Sequence, residues 1–491
     1  MVQKHNLMNT ILLIWTKSQI SVKFKIYLRV PVHKSLLLNE GDSMDQILPN
    51  SENVVSRSNT TYKVIKKFNQ GGQAELYLVE SDNKTYVLKV YFVGQGTKRQ
   101  REILELLLEK GTPSRCFVWP IDLVDLKKYN TIGYIMDYID TTVYPTLEDL
   151  LYEEAPPKLF RDIIAAYLLS DAFFRLQIRG LIFADISWGN VRLNRDTGDV
   201  RILDCDNIIF SNEQSAIGGT LPFKASEVIL QELDSGRAQL SADTDRHSLA
   251  VVLFLILFHH HPLVGLKESE YRVENEATMI EMYGKHPIFI YDPQNAENRP
   301  DPETQGVVEF FWEKYPQVIK DLFITTFTDG LKNPQTGRPR TIIWRKKLLK
   351  LRDSVIKCSN CGIENFIDSD PSTKHSPKEF TCWNCEKVQK VPQKIIISGG
   401  GISHTVNLNE DMFLYKTHID NSYNIEIKIG KIESKMKDTR KFIGIRNISS
   451  EKWSYSVADK KAEELPPGKA IIASENIRIR FPGGVTGKFS P

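Results

Sequence analysis

Between Thr61 and about Asp137 apolar residues alternate with polar ones in short runs, such as TYVLKVYFV from Thr85 to Val93, around one longer segment from Lys98 to Lys110. Alternation at period two predicts half-buried strands, and KRQREILELLLEK predicts a single helix among them. Beyond residue 138 the period lengthens. Ile164, Leu168, Ala172 and Leu176 stand four apart, a stripe that predicts a helix, and Gly180 is placed to end it. Leu249 to Phe258 is apolar on every side; ten residues are too few for a bilayer, so this run predicts the buried central helix of a helical region. From about Lys394 alternation returns in NIEIKIGKI, FIGIRNIS, WSYSVA, KAIIA and NIRIRF. Turns at Pro466-Pro467-Gly468 and Pro482-Gly483-Gly484 divide the last runs, which predicts a small all-β sandwich.

The apolar run ILLIW, Ile11 to Trp15, is interrupted by Lys17, Ser18 and Gln19, whereas a spanning helix needs about twenty apolar residues. With no small-residue cleavage pattern behind it, neither a membrane segment nor a secretory signal is expected. The expectation for 1–60 is an extension, disordered or an over-extended reading frame whose natural start is Met44. At 491 residues there is room for about three domains, and 41% hydrophobic with 25% charged residues describes a soluble globular chain. A net charge of +3 is too small to call for nucleic acid.

Six cysteines include two tight pairs, Cys358-x-x-Cys361 and Cys382-x-x-Cys385, separated by twenty residues. That spacing predicts a zinc ribbon: each knuckle turns two thiolates to one side, and two knuckles close a tetrahedral structural site with no open position. The intervening GIENFIDSDPSTKHSPKEFT is too poor in apolar residues to bury a core unaided, so Zn2+ would supply much of its folding free energy. Paired thiols of this kind imply a reducing, cytoplasmic setting. Cys116 and Cys205 read as core residues, and His259, His260 and His261 as a helix-end cluster, since consecutive side chains do not converge on one metal.

Chemistry enters with LIFADISWGN, Leu181 to Asn190, and ILDCDN, Ile202 to Asn207. Asp185, Asn190 and Asp204 are the residue types phosphoryl transfer needs: a carboxylate to orient a hydroxyl, and an amide oxygen and a second carboxylate for Mg2+. Upstream, Gly71 and Gly72 in KKFNQGGQAELYLVE let backbone N–H groups approach phosphates, and Lys89 supplies a point charge from a strand.

On these motifs residues 61–352 resemble the eukaryotic-like Ser/Thr protein kinases, which implies a two-lobed fold, lobes at 61–138 and 139–352, and ATP as cofactor. The resemblance assigns Asp185 and Lys89 to catalysis, and Gly71, Gly72, Lys89, Met136, Tyr138, Asn190 and Asp204 to the nucleotide. Asn190 and Asp204 would also hold Mg2+. FKASEV, Phe223 to Val228, is similar to the segment closing the activation loop, with Ser226 in place of its proline; Asp245 would sit under the catalytic loop and Arg338 would pair with Glu227. The chain departs from the family at Phe183-Ala184, where His-Arg is usual. It departs again at Ser187, Asp206, Asn69 and Ala74, which replace a lysine and three glycines. Gln100, Glu102 and Glu105 all remain open as the partner of Lys89. Two alternatives stay beside protein kinase: a nucleotide-binding pseudokinase scaffold, and a small-molecule phosphotransferase, against which GGTLPFKASE argues as a peptide platform.

The stretch Ile443 to Phe489 looks like the second half of a forkhead-associated domain without its phosphothreonine-gripping loops, a phosphate-blind interaction module in which Arg478 and Arg480 form a solvated strand face. The expected architecture is therefore α+β: a two-lobed protein-kinase-like fold, a zinc ribbon over 353–392 and an all-β module over 393–491. The whole resembles bacterial kinases of tellurite-resistance-type stress systems, which implies signalling through a protein substrate, with a PP2C-type phosphatase and a von Willebrand A protein as partners, without nucleic acid or membrane.

Overall fold

The computed structural model describes residues 46–151, 158–210, 214–215, 219–271, 273, 275–367, 377–437, 439–458 and 460–490. They form a mixed α+β protein, which divides into two compact units. One holds 46–151 and 161–348; the other holds 158–160 and 349–490.

The first unit opens with a six-stranded antiparallel sheet. Its strands are β1 (Asn53–Val55), β2 (Thr61–Gln70), β3 (Ala74–Ser81), β4 (Lys84–Tyr91), β5 (Asp122–Leu126) and β6 (Thr131–Asp137), in the order β1-β2-β3-β4-β6-β5. Alternation sends Leu88 and Val90 of β4 to one face and Val87 and Tyr91 to the other, and both faces are covered. On the second face lies helix α1 (Lys98–Lys110), capped by the Thr97 hydroxyl, which accepts from Gln100 N, and stopped by Gly111 at φ 63°. It buries Leu104 and Leu107.

The opposite face is covered by residues expected to lie in the extension. Leu48 is fully buried beside Tyr77 and Val79, its N–H donates to the Tyr77 hydroxyl at 2.9 Å, and β1 pairs with β2. The sheet thus begins before the expected boundary at 61. Ile47-Leu48 and Val54-Val55 are apolar pairs among polar residues, too short to carry a period. The expectation about Met44 falls on 1–45, outside the described residues.

The rest of this unit is mainly helical. Helix α2 (Leu159–Gln177) is followed by Gly180 at φ 72°, which turns the chain into the short strand β7 (Leu181–Ile182). A hairpin of β8 (Val191–Leu193) and β9 (Val200–Ile202) leads to β10 (Ile209–Phe210), which pairs with β7. Helix α3 (Ser226–Ser235) precedes α4 (Ala242–Phe258), whose start carries a reciprocal Ser241/Thr244 capping box. Every residue of α4 from Leu249 to Phe258 is buried, and Phe254 and Phe258 sit edge-on to Phe323.

His260 and His261 follow α4, fully enclosed, and their Nε2 atoms lie 2.8 Å from the Val264 and Pro222 carbonyls. Burial depresses them to about 4 and about 3. Because the unfolded residues protonate near 6.5, the unfolded chain binds more protons below that pH, and stability falls with pH until the folded values are reached. His260→Gln/His261→Gln, which keeps donors for the carbonyls but cannot titrate, should remove about 3 kcal/mol of the stability difference between pH 7.5 and 5.5. Urea unfolding of both proteins at the two pH values measures this.

The second unit begins in the last turn of the helix Thr341–Asp353. Two hairpins follow, Val355–Lys357 with Glu364–Phe366 and Glu379–Thr381 with Val388–Lys390. Beyond them a six-stranded and a four-stranded sheet share one apolar core that includes Ile395, Leu414, Ile432, Ile445, Trp453 and Phe489. Arg478 and Arg480 alternate with buried Ile477 and Ile479 and face outward. No helix among the described residues is long and apolar enough to cross a membrane.

Candidate functional site

Lys89 is placed by the register of the sheet. It pairs with Leu76 of β3 and Tyr134 of β6, on the side of β4 that also carries Val87 and Tyr91. Its Nζ lies 2.9 Å from a carboxylate oxygen of Asp206 and 3.3 Å from Asp204 Oδ1. Burial opposes the charge on Lys89, but Asp206 and then Asp204 outweigh it and hold the ammonium above its ordinary range.

Both aspartates stand on the tight turn after β9. Asp204 adopts φ 56°, an uncommon conformation for a residue with a side chain, and the 3-10 turn Cys205–Asn207 follows at once. Asp206 accepts from the Tyr91 hydroxyl and, at 2.9 Å, from the Tyr134 hydroxyl, while Gln100 Nε2 donates to its backbone carbonyl at 2.9 Å. Burial opposes ionisation of Asp206; Lys89 first and the Tyr91 hydroxyl next overcome it and keep the carboxyl below its usual range.

Two glutamates of α1 point elsewhere: Glu105 pairs with Arg57, and Glu102 with Lys98 at 3.6 Å. Of the three candidates weighed from sequence, Gln100 is the one turned toward the lysine's surroundings. The apolar register of α1 already indicated that side.

Asn190 is tied to the residue before Asp204 across the β8–β9 hairpin, where Leu203 N donates to the Asn190 carbonyl at 2.8 Å. Asn190 Nδ2 donates to the Asp185 carbonyl at 2.9 Å, which orients the amide and leaves Oδ1 for a cation. Asp185 Oδ2 accepts from Asn207 Nδ2 at 3.1 Å. Burial, with Asp204 next, raises the Asp185 carboxyl, and the Asn207 bond offsets this only in part. Sequence reading passed over Asn207 and treated Asp206 only as a lost glycine. The polar run Asp204 to Asn207 beyond a strand was the available signal.

The loop carrying Asp185 is held from beneath. Asp245 accepts from the N–H groups of Phe183 at 2.9 Å and Ala184 at 3.3 Å, and burial pushes its carboxyl up to about 7 despite them. Gly219, at φ 82°, runs so close that a Cβ there would meet the Ala184 carbonyl at 2.8 Å. Trp188 sits edge-on to Phe223, 5.0 Å between ring centres. Arg338 grips both oxygens of Glu227 at 2.6 and 2.8 Å and donates to the Gly330 and Asp243 carbonyls. Gly218, the first residue of GGTLPFKASE, lies outside the described residues.

Gly71 and Gly72 form the exposed tip between β2 and β3, where a Cβ would meet nothing within 4 Å. Met136 is buried in β6 opposite Val87, and Tyr138 is exposed just beyond that strand. The structure thus brings Lys89, Asp204, Asn190 and Asp185 into one connected cluster, with Gly71, Gly72 and Met136 attached through the sheet.

In the second unit Cys358, Cys361, Cys382 and Cys385 converge, with all four sulfurs within 4.8 Å of one another. Cys358 and Cys385 sulfurs are 3.6 Å apart, and those of Cys361 and Cys382 3.7 Å. Four sulfurs about 2.3 Å from a central Zn2+ would be about 3.8 Å apart, so the set fits that ion. Each knuckle closes in the same way: Gly362 N donates to the Cys358 carbonyl and Glu386 N to the Cys382 carbonyl, both at 2.9 Å. Gly362 at φ 76° and Glu386 at φ 56° supply the left-handed step. The N–H groups of Asn360 and Cys361 and the Gln389 amide point at Cys358 Sγ, which suits a thiolate.

The chain matches no protein-family model and no curated protein.

Proposed function

We propose that this protein is an ATP- and Mg2+-dependent Ser/Thr protein kinase, cytoplasmic, with a zinc-stabilised C-terminal region. The observation that carries the reading is the cluster of Lys89, Asp204, Asn190 and Asp185, drawn from three separate segments and linked by hydrogen bonds. Lys89 and the Gly71 and Gly72 N–H groups would hold phosphate oxygens, and Met136 and Tyr138 would border the adenine. Asp204 and Asn190 Oδ1 would hold Mg2+, which neutralises charge on the transferred group. Asp185, raised by burial, would accept a hydrogen bond from a Ser or Thr hydroxyl and orient it for in-line attack.

Support for a protein acceptor comes from the segment passing over Ala184 and from the Arg338–Glu227 pair that anchors α3 beside it. The proposal includes a protein substrate in a bacterial stress-signalling system with a PP2C-type phosphatase and a von Willebrand A protein, on the resemblance of architecture alone.

Phosphate transfer from labelled ATP with Mg2+ tests it. Asp185→Asn should lower transfer to protein by about a hundredfold or more while ATP still binds. ATP binding with no transfer by the natural protein would replace the enzyme with a nucleotide-binding scaffold. Transfer confined to a small acceptor would move it to the small-molecule phosphotransferases.

A further inference from the structure

We infer that Asp206 is the positioning residue for Lys89, so that the charge fixing the phosphate clamp comes from the turn bearing Asp204 and not from helix α1. As a statement about a clamp this rests on the phosphotransferase reading; as a statement about an ion pair it rests on geometry alone.

Asp206 is 1% exposed and fully engaged: Lys89 at 2.9 Å and the Tyr91 and Tyr134 hydroxyls on its carboxylate, Gln100 on its carbonyl. A carboxylate buried so completely persists only when paired and hydrogen-bonded. Tyr91 and Tyr134 come from β4 and β6, so two strands of the sheet hold the acid that holds the lysine.

From α1 Gln100 takes part, through neutral hydrogen bonds, while Glu105 pairs with Arg57 and Glu102 lies 3.6 Å from Lys98. Displacing α1 would remove those neutral bonds and leave the charge pair intact. Lys89 and the candidate metal ligand Asp204 are thereby fixed by one turn, and assembly of the site does not wait on the helix.

Lys89 is 8% exposed with its Nζ 2.9 Å from Asp206 and 3.3 Å from Asp204, and its acylation by acetic anhydride at pH 9 reports whether that side chain is held in the pair or free to leave it. Peptide mass spectrometry would compare Lys89 with exposed Lys84 in the same full-length chain. Asp206→Asn, nearly isosteric, should raise the Lys89 rate at least tenfold.

A folded Asp206→Asn protein whose Lys89 rate stays within twofold of the natural one overturns the inference. If Asp206→Asn does not fold, Tyr134→Phe decides, with an expected rise of about threefold and an unchanged rate as the refuting result. Phosphate transfer is read separately: its absence would remove the functional reading, whereas the labelling ratio alone judges Asp206.

Discussion

Withdrawing zinc from the native protein should melt the hairpin Glu379–Thr381/Val388–Lys390 while leaving its neighbour Val355–Lys357/Glu364–Phe366 largely paired. The two hairpins are each only three residues long on a side, and a lone two-stranded hairpin is marginal in water. Their surroundings differ. Val355 and Ile356 are buried, and Asn409 ties that strand down by donating to the Val355 carbonyl at 3.0 Å. The second hairpin is exposed or half-buried throughout, so the cysteine cluster is its main anchor. Apparent metal binding in such sites is worth about 10 kcal/mol or more at neutral pH, far beyond what six strand residues can offer.

Elemental analysis should find one zinc per chain, and amide exchange after chelation should accelerate across 379–390 by about a hundredfold or more, with a much smaller change across 355–366. Equal loss of protection in both hairpins would show that the metal organises the whole segment. No change in either would remove the metal from its folding.

The second large effect is expected at Arg338. Its side chain has no exposure, yet it carries a full charge, satisfied by both oxygens of Glu227 and by two backbone carbonyls. Arg338→Met preserves much of the apolar stem but strands the Glu227 carboxylate and both carbonyls. Removing one partner of a buried pair typically costs about 3 to 5 kcal/mol. Arg338→Lys should recover little, because an ammonium cannot span two carboxylate oxygens and two carbonyls at once. Glu227→Gln, which leaves the fully buried guanidinium without its counter-charge, should cost a similar amount. Urea midpoints for the three variants check these costs, and a Lys variant as stable as the natural protein would contradict the role assigned to the planar fork.

How far the sequence could be read depended on whether a residue's role shows in local pattern. Helix α1 was legible to its ends, because a capping threonine and a stopping glycine frame thirteen residues of one period. The buried run of α4 and the four-cysteine spacing were equally plain. Asp185, Asn190 and Asp204 could be singled out by residue type and spacing, and the structure connects them.

What escaped was long-range. The partner of Lys89 is Asp206, distant in sequence and facing a lysine whose place on the sheet is set by register. Asp206 was noticed as a substituted glycine, a loss, when its carboxylate contributes the closest charge in the cluster. Glu105 stood open as a partner beside Glu102 and Gln100, but Arg57, from the turn after β1, claims it. No period in α1 could announce that competitor.

The segment leading into β1 makes the sheet in part a borrowed structure. Leu48 fills a place among Tyr77, Val79 and Val64, and β1 occupies the outer edge of β2. A chain cut at residue 60 would present an open, unpaired strand edge beside an empty apolar slot, the combination that templates strand exchange between copies. Such a fragment should act as an acceptor for the excised peptide 46–58, which would complete in trans the sheet that carries Lys89.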